Sequence, residues 1–88
     1  MNKQPECQQD LKLKQNVKVI KRYTTIVMGN LDFLSLPIID IPEGVHGQIS
    51  YKSNFSGEFH VKWIELEVET IEEFNGQIFE NLEFEEFK

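Results

Sequence analysis

The sequence predicts a small, mainly β domain, and three observations lead to that prediction. Apolar and polar residues alternate with a period of two over residues 45–51 and 59–63, which is typical of half-buried strands. Turn-forming residues separate such segments, as in Pro42-Glu43-Gly44 and in residues 53–57. No segment shows a strong period of 3.6 residues, so no long helix is expected. We therefore predict about five short antiparallel strands in a partly open barrel.

Length and composition indicate one folded domain. The chain has 88 residues, of which 40% are hydrophobic, with seven Phe, two Tyr and one Trp, too many apolar groups for a disordered protein. Residues 1–16 are rich in Gln and Lys, so we predict a flexible N-terminal tail there and the barrel over residues 17–88. A single cysteine, Cys7, excludes an internal disulfide, and we assign it no role.

Charge is distributed unevenly along the chain. Residues 1–30 carry six Lys or Arg against two acids, a net +4, whereas residues 31–88 carry three Lys against thirteen acids, a net −10. A field of that sign repels nucleic acid and anionic membrane surfaces and attracts basic protein surfaces. No apolar run reaches the roughly 20 residues that a membrane span needs, and the N-terminus has no signal-peptide core. We expect a soluble cytoplasmic protein.

The strands are predicted in chain order. Residues 17–23 form the first, and residues 24–28 either prolong it or cross to a second sheet. Residues 45–51 and 59–63 form a hairpin whose apolar side chains, Tyr51 and Trp63 included, point at one core. Residues 70–76 form a turn or a short 3₁₀ segment, and the last strand lies within residues 78–87.

The alternation changes phase after Trp63. Apolar residues occupy odd positions up to Trp63 and even positions from Ile64, so one straight strand would expose one of the two sets. We predict a β-bulge or sharp bend at Trp63-Ile64. Beyond it, Glu65, Glu67 and Glu69 share the outward face of a strand.

Residues 31–41 are apolar without a clear period, and Pro37 disfavours both a helix and a central strand. We interpret them as a long hydrophobic loop and a candidate partner-binding surface. Its large side chains are Phe33, Leu34, Leu36, Ile38 and Ile39. The alternative is that these side chains only close one end of the core.

The order of these pieces resembles the SH3-like barrel superfamily over residues 17–87. The motif that carries the resemblance is Pro-x-Gly-x-x-Gly-x-Ile, here Pro42, Gly44, Gly47 and Ile49. It is similar to turns in small prokaryotic barrels such as photosystem I subunit IV and the variable chain of ferredoxin–thioredoxin reductase. Those proteins bind other proteins, so the resemblance implies a non-enzymatic binding role. The aromatic pairs of proline-binding SH3 domains are missing, so proline-peptide recognition is not implied.

No residue pattern indicates catalysis, a cofactor or a metal. His46 and His60 could meet across the hairpin, but two histidines without a third ligand are more typical of a polar strand face. Glu65 and Glu67 could suggest acid–base work, yet no nucleophile or pocket accompanies them. The glycines do not form a phosphate loop, and no basic face interleaved with aromatics indicates direct nucleic-acid binding.

We therefore expect a small acidic protein-binding module, an accessory or regulatory subunit that docks on a larger protein. The candidate contacts are Phe33, Leu34, Leu36, Ile38, Glu65, Glu67 and Glu69. The alternative is an acidic nucleic-acid mimic from a phage or mobile element, in which the glutamates of residues 65–69 and 83–86 imitate a phosphate backbone. Outward glutamates on strands also prevent edge-to-edge aggregation without any further role.

Overall fold

A computed structural model describes residues 10–28 and 38–85 of the chain. Over these residues the protein is mainly β, as predicted, but it has seven strands where about five were expected. They are β1 (Asn16–Val19), β2 (Tyr23–Val27), β3 (Ile38–Ile41), β4 (His46–Lys52), β5 (Glu58–Trp63), β6 (Val68–Glu73) and β7 (Leu82–Phe84), with a 3₁₀ helix (Gly76–Glu80) before β7. All neighbouring strands are antiparallel, in the order β3-β2-β6-β5-β4-β1-β7.

The sheet curls into a half-barrel around one apolar core. Phe59 of β5 and Phe84 of β7 are separated by two intervening strands, yet their ring centroids lie 6.0 Å apart because the inner faces of the two strands turn toward each other. Phe79 of the 3₁₀ helix packs edge-on against Phe84 at 5.9 Å. The fully buried side chains of the core include Trp63, Phe59, Phe84, Leu11, Ile41, Ile49 and Leu82.

The folded part of the chain begins earlier than the predicted boundary at Val17. Leu11 is fully buried in the core, and Gln15 is buried beside it. The Lys14 amide donates to the Ile49 carbonyl at 2.7 Å, and Nζ of Lys52 donates to the Leu11 carbonyl at 2.7 Å. The sequence places Leu11 in a tail because Leu11 and Leu13 are the two large aliphatic residues of a segment rich in Gln and Lys, and the structure buries Leu11 but leaves Leu13 54% exposed.

Residues 17–23 form parts of two strands where the sequence predicts one. After Val19 the amide of Ile20 donates to the Asn81 carbonyl at 2.8 Å, so the chain leaves its pairing with β4 there. It re-enters the sheet at Tyr23, between β3 and β6. Residues 38–41, predicted as part of a loop, are the edge strand β3. Residues 29–37, and with them Phe33, Leu34 and Leu36, lie outside the described residues.

The phase change after Trp63 is caused by a hairpin turn, so of the two predicted alternatives at Trp63-Ile64 the bulge is wrong and the chain bends sharply there. Trp63 pairs directly with Val68 across residues 64–67, and the Glu67 amide donates to the Trp63 carbonyl at 2.9 Å. Glu67 adopts φ of 55°, a left-handed conformation that glycine usually occupies in such turns. The bulge lies instead in β4, between Ile49 and Tyr51. Residues 70–73, predicted as a turn, belong to β6.

Candidate functional site

The outer face of the half-barrel carries a row of side chains that crosses five strands. Ile38 pairs with Ile26, Ile26 with Ile71, Ile71 with His60, and His60 with Tyr51. Residues directly opposite in antiparallel strands point to the same face. That face is the outer one, because the neighbours of His60 along β5 and of Ile71 along β6 are buried and point into the core. We call these five residues the outer row.

The outer row is largely apolar and open to solvent. Ile38 is 57% exposed, Ile26 47% and Tyr51 44%, while Ile71 between them is half-buried. The His60 ring lies against Tyr51 with ring centroids 4.5 Å apart, so the two side chains form one surface. Four inter-strand spacings make the row about 19 Å long. Single exposed apolar residues are ordinary, but a continuous row of them is a feature of interaction surfaces.

Acidic residues flank the outer row and form what we call the acidic rim. Asp40, Glu58 and Glu73 lie two positions along their strands on one side of the row, and Glu58 and Glu73 are directly opposite each other. Glu69 lies on the other side, opposite Lys62. The face thus combines an apolar centre with a border that is mostly negative, the arrangement of core and rim seen in protein interfaces.

Hydrogen bonds hold the carboxylates of Asp40, Glu58 and Glu69 of the rim in place. Oε2 of Glu58 lies 2.7 Å from Nε2 of His60. Oε2 of Glu69 accepts from the Ser50 hydroxyl at 2.6 Å and lies 3.9 Å from Nδ1 of His60. Asp40 pairs with Arg22 at 2.8 Å, and this hydrogen bond raises the pKa of the Arg22 guanidinium. His60 is therefore bracketed by two carboxylates at the centre of the face.

A groove adjoins the outer row where β2 separates from β6. Its volume is about 350 Å³, and its walls include Ile26, Ile71 and Glu73 together with Ser56 and Gly57 of the β4–β5 loop. The same loop displays Phe55, which is 98% exposed. Oγ of Ser53 accepts hydrogen bonds from the amides of Phe55 and Ser56, both at 3.1 Å, so the loop has a defined conformation.

The structure distributes the predicted partner-binding residues over different places. Ile38 is part of the outer row and Glu69 part of the rim, whereas Glu65 and Glu67 lie in the β5–β6 turn. The predicted common strand face of these three glutamates is therefore wrong. Glu65 links the β5–β6 turn to β4, because one of its carboxylate oxygens lies 2.9 Å from the amide nitrogen of His46 and the other lies 2.9 Å from Nδ1 of His46. The hydrogen bond from the His46 side chain is the main cause of the lowered pKa of Glu65.

Of the outer row, sequence analysis predicted Ile38 as a partner contact and missed the other four residues: Ile26, Ile71, His60 and Tyr51. Hydropathy alternation would place the two isoleucines in the core, because their buried neighbours Thr25, Thr70 and Glu72 are polar, so no sequence pattern marked them as outward-facing. Tyr51 was assigned to the core because it continues the odd-numbered alternation of β4. The bulge after Ile49 reverses that phase and turns Tyr51 outward, a change that carries no sequence signal here.

The two histidines do not meet. His46 pairs in register with Lys18 of β1, whereas His60 pairs with Tyr51, so they occupy different positions on the sheet. Among residues 10–28 and 38–85, no group of three or more His, Cys, Asp or Glu side chains could hold a metal ion.

A buried polar cluster on the inner face also escaped prediction. Glu72 is only 7% exposed, and its Oε2 accepts from the hydroxyls of Tyr23 at 2.9 Å, Thr25 at 2.8 Å and Thr70 at 2.7 Å. Nε1 of Trp63 donates to Oγ1 of Thr70 at 2.8 Å, which ties the cluster to the core. Burial raises the pKa of Glu72, although the three hydroxyl donors act in the opposite direction.

The hydroxyl of Thr25 shows how this cluster accommodates a proton. Its oxygen lies 3.2 Å from the Ile71 carbonyl as well as 2.8 Å from Oε2 of Glu72, but it has one hydrogen to donate. When Glu72 is protonated, it can donate to Thr25 while Thr25 donates to Ile71. Both charge states of Glu72 therefore keep satisfied partners. Burial also raises the pKa of the Tyr23 phenol, with a further contribution from Glu72.

Comparison with known proteins finds no family model that matches this chain, no curated protein that matches it and no solved structure that matches it. The part of the chain that the structure describes contains no helix with the length and apolarity needed to cross a membrane.

Proposed function

We propose that this protein is a non-enzymatic protein-binding module, an accessory or regulatory subunit that docks on a larger protein through the outer face of strands β2 to β6. The observation that carries the proposal is the outer row, a line of opposed and largely apolar side chains in which Ile26, Ile38 and Tyr51 are exposed, inside an acidic border. Burying such a row against a partner removes apolar area from water at about 25 cal/mol per Å², which favours association. The defined positions of the rim carboxylates support specific recognition.

The arrangement of titratable groups supports binding rather than catalysis. Glu72, whose pKa is raised, faces the core and is surrounded by hydroxyls that also tie strands β2 and β6 together. The carboxylates of the outer face border an apolar centre and are spread along it. We also propose a cytoplasmic location and an SH3-like barrel. Support for the barrel comes from the order of three pieces along the chain: the Pro42-Gly44 turn, the β4–β5 hairpin and the closing strand β7.

The test is affinity capture with the tagged full-length protein, compared with a variant that carries Ile26→Ser and Ile38→Ser. Both substitutions replace exposed side chains, so the variant should fold. Partners of the outer face should be lost from this variant and kept by Ile64→Ser, a matched change of an apolar side chain that is 60% exposed in the β5–β6 turn. Partners that both variants retain equally would contradict docking through the outer row.

A parallel variant, Phe33→Ser with Leu36→Ser, tests the predicted hydrophobic loop separately. Loss of the partner from this variant alone would assign the contact to residues 31–37 instead of the outer row. Elution in steps of rising salt distinguishes the acidic-mimic alternative. A partner that normally binds nucleic acid and leaves at low salt would favour the mimic, whereas one that survives high salt favours apolar docking.

A further inference from the structure

We propose, building on the docking function above, that the partner surface is an apolar patch bordered by lysine or arginine and that the acidic rim keeps the outer row from pairing with a second copy of this chain. The first support is geometric. On β3, β5 and β6, the side chains of the row and the carboxylates of the rim lie on the same face, two positions apart along the strand. Any partner that covers Ile26 and Ile71 must therefore also cover or closely approach Glu58, Glu69 and Glu73.

The second support is electrostatic. A carboxylate that loses water on docking must gain a cationic or hydrogen-bonding partner, or the complex is destabilised. The described outer positions of β2 to β6 supply one lysine, Lys62, against the four acids of the rim. Arg22 reaches the face only through its pair with Asp40. The compensating positive charge must come mainly from the partner.

The same charges disfavour self-association. A second copy would place its own rim against the first, so that Glu58 and Glu73, which are already neighbours across β5 and β6, would meet further carboxylates. Like charges brought together at an interface oppose binding and suppress the wrong partner. The apolar row is thus available to a basic surface and protected from a copy of itself.

The first experiment uses three synthetic peptides as probes of this chemistry, each of about 13 residues, a length that spans about 19 Å as a helix. One has a leucine stripe flanked by lysines, the second has the same stripe flanked by glutamates, and the third replaces the leucines of the first with serines. Each is titrated into the isotopically labelled full-length protein and followed by two-dimensional NMR.

We expect the leucine–lysine peptide to bind at least about tenfold more tightly than either of the others and to shift the amide signals of the outer row. The double variant with Ile26→Ser and Ile38→Ser should bind this peptide about tenfold more weakly. The triple variant with Glu58→Gln, Glu69→Gln and Glu73→Gln should also lose about tenfold in affinity. Ile64→Ser should leave the affinity unchanged. Equal binding of the lysine and glutamate peptides, or shifts confined to other surfaces, would overturn the assignment of a basic partner.

The second experiment measures self-association by sedimentation over a range of protein concentration. The unmodified protein should stay monomeric, the variant with Glu58→Gln, Glu69→Gln and Glu73→Gln should associate, and adding Ile26→Ser to that variant should restore the monomer. A dimer of the unmodified protein that Ile26→Ser abolishes would identify a second copy as the occupant. A triple variant that remains monomeric would remove the protective role of the rim.

These results are separable from the proposed function. If affinity capture shows partners that depend on Ile26 and Ile38 but the leucine–lysine peptide does not bind, docking through the outer face stands and the basic chemistry of the partner is wrong. If captured partners are indifferent to Ile26 and Ile38, docking through this face fails whatever the peptides do.

Discussion

The two faces of the curled sheet are built from similar rows of opposed side chains, but one row is buried and the other is largely exposed. On the inner face, Val61 of β5 lies between Ile49 and Thr70, and all three are buried. One residue further along β5, His60 lies between Tyr51 and Ile71, but on the outer face, and Tyr51 remains exposed. Both rows consist of directly opposed side chains on the same strands.

The two rows differ in the side chains that pack against them. The inner face is covered by Leu11, by Ile78 and Phe79 of the 3₁₀ helix and by Phe84, all of which belong to the core or pack against it. The outer row has an acidic rim at its sides. An apolar side chain on this sheet therefore contributes to folding on one face, while on the other it is available for binding.

Removing an inner aromatic side chain should have the largest effect. Phe59→Ala would leave a cavity beside Phe84 in a core where Phe59 is fully buried. We expect the free energy of unfolding to fall by about 3–5 kcal/mol, measured by urea denaturation. For a domain of this size such a loss would remove much of the stability. A loss below that of the outer-face variant Ile26→Ser would contradict the division between the two faces.

A methyl group added to the inner face should also be costly. A Cβ at Gly47 would lie 2.6 Å from Cγ1 of Val61 and 2.7 Å from Cε3 of Trp63, closer than packed atoms allow. We expect Gly47→Ala to lower the free energy of unfolding by about 1–3 kcal/mol, because the indole must move. Near-ultraviolet circular dichroism of the single Trp should change at the same time. Gly76→Ala, where no atom lies within 4 Å of the added carbon, is the matched control.

The buried carboxylate of the inner face should make stability depend on pH. Because burial raises the pKa of Glu72 in the folded state, the folded protein holds this proton more tightly than the unfolded chain does. Its contribution is fully present below the ordinary carboxyl pKa of 4.5 and is lost as pH rises through the raised value. Glu72→Gln should therefore flatten the decline of stability with rising pH above 4.5.

Thermal unfolding at a series of pH values provides the measurement for this glutamate. Glu73→Gln, an exposed neighbour on the outer face of the same strand, is the control and should leave the slope unchanged. Glu65 supplies the opposite sign, because its pKa is lowered by His46, so its contribution is lost as pH falls. A slope that Glu72→Gln leaves intact would show that the buried cluster does not titrate in this range.

The smallest effect on stability should come from the outer row. Ile26→Ser removes an apolar side chain that is nearly half exposed, so the free energy of unfolding should change by less than about 1 kcal/mol. The same variant should lose most of its affinity for partners of the outer face. A large loss of stability would show that Ile26 contributes to folding as a core residue does. That result would contradict the proposal that the outer face is a docking surface.

Sequence analysis predicted the mainly β character of the fold and the central hairpin, but not the strand count or most of the outer row. The turn at residues 64–67 was hidden because its left-handed position holds Glu67, so no glycine marked it. The two strands β1 and β2 were merged because Val19 and Tyr23 keep the same alternation through the break. Of the predicted partner-binding residues, Ile38 and Glu69 lie on the outer face, and Phe33, Leu34 and Leu36 remain predictions outside the described residues.

Within an unbroken strand, the sequence alone determined which residues share a face, because successive side chains of a strand point to opposite sides. Phe59, Val61 and Trp63 were predicted to face one core and do so. Only the tertiary structure decided which strands are neighbours, since β2 pairs with β6, more than forty residues away in the chain. That pairing places Ile26 beside Ile71, and β3 and β4 extend the row at its two ends. A surface assembled from five strands depends on long-range pairing, which no local pattern specifies.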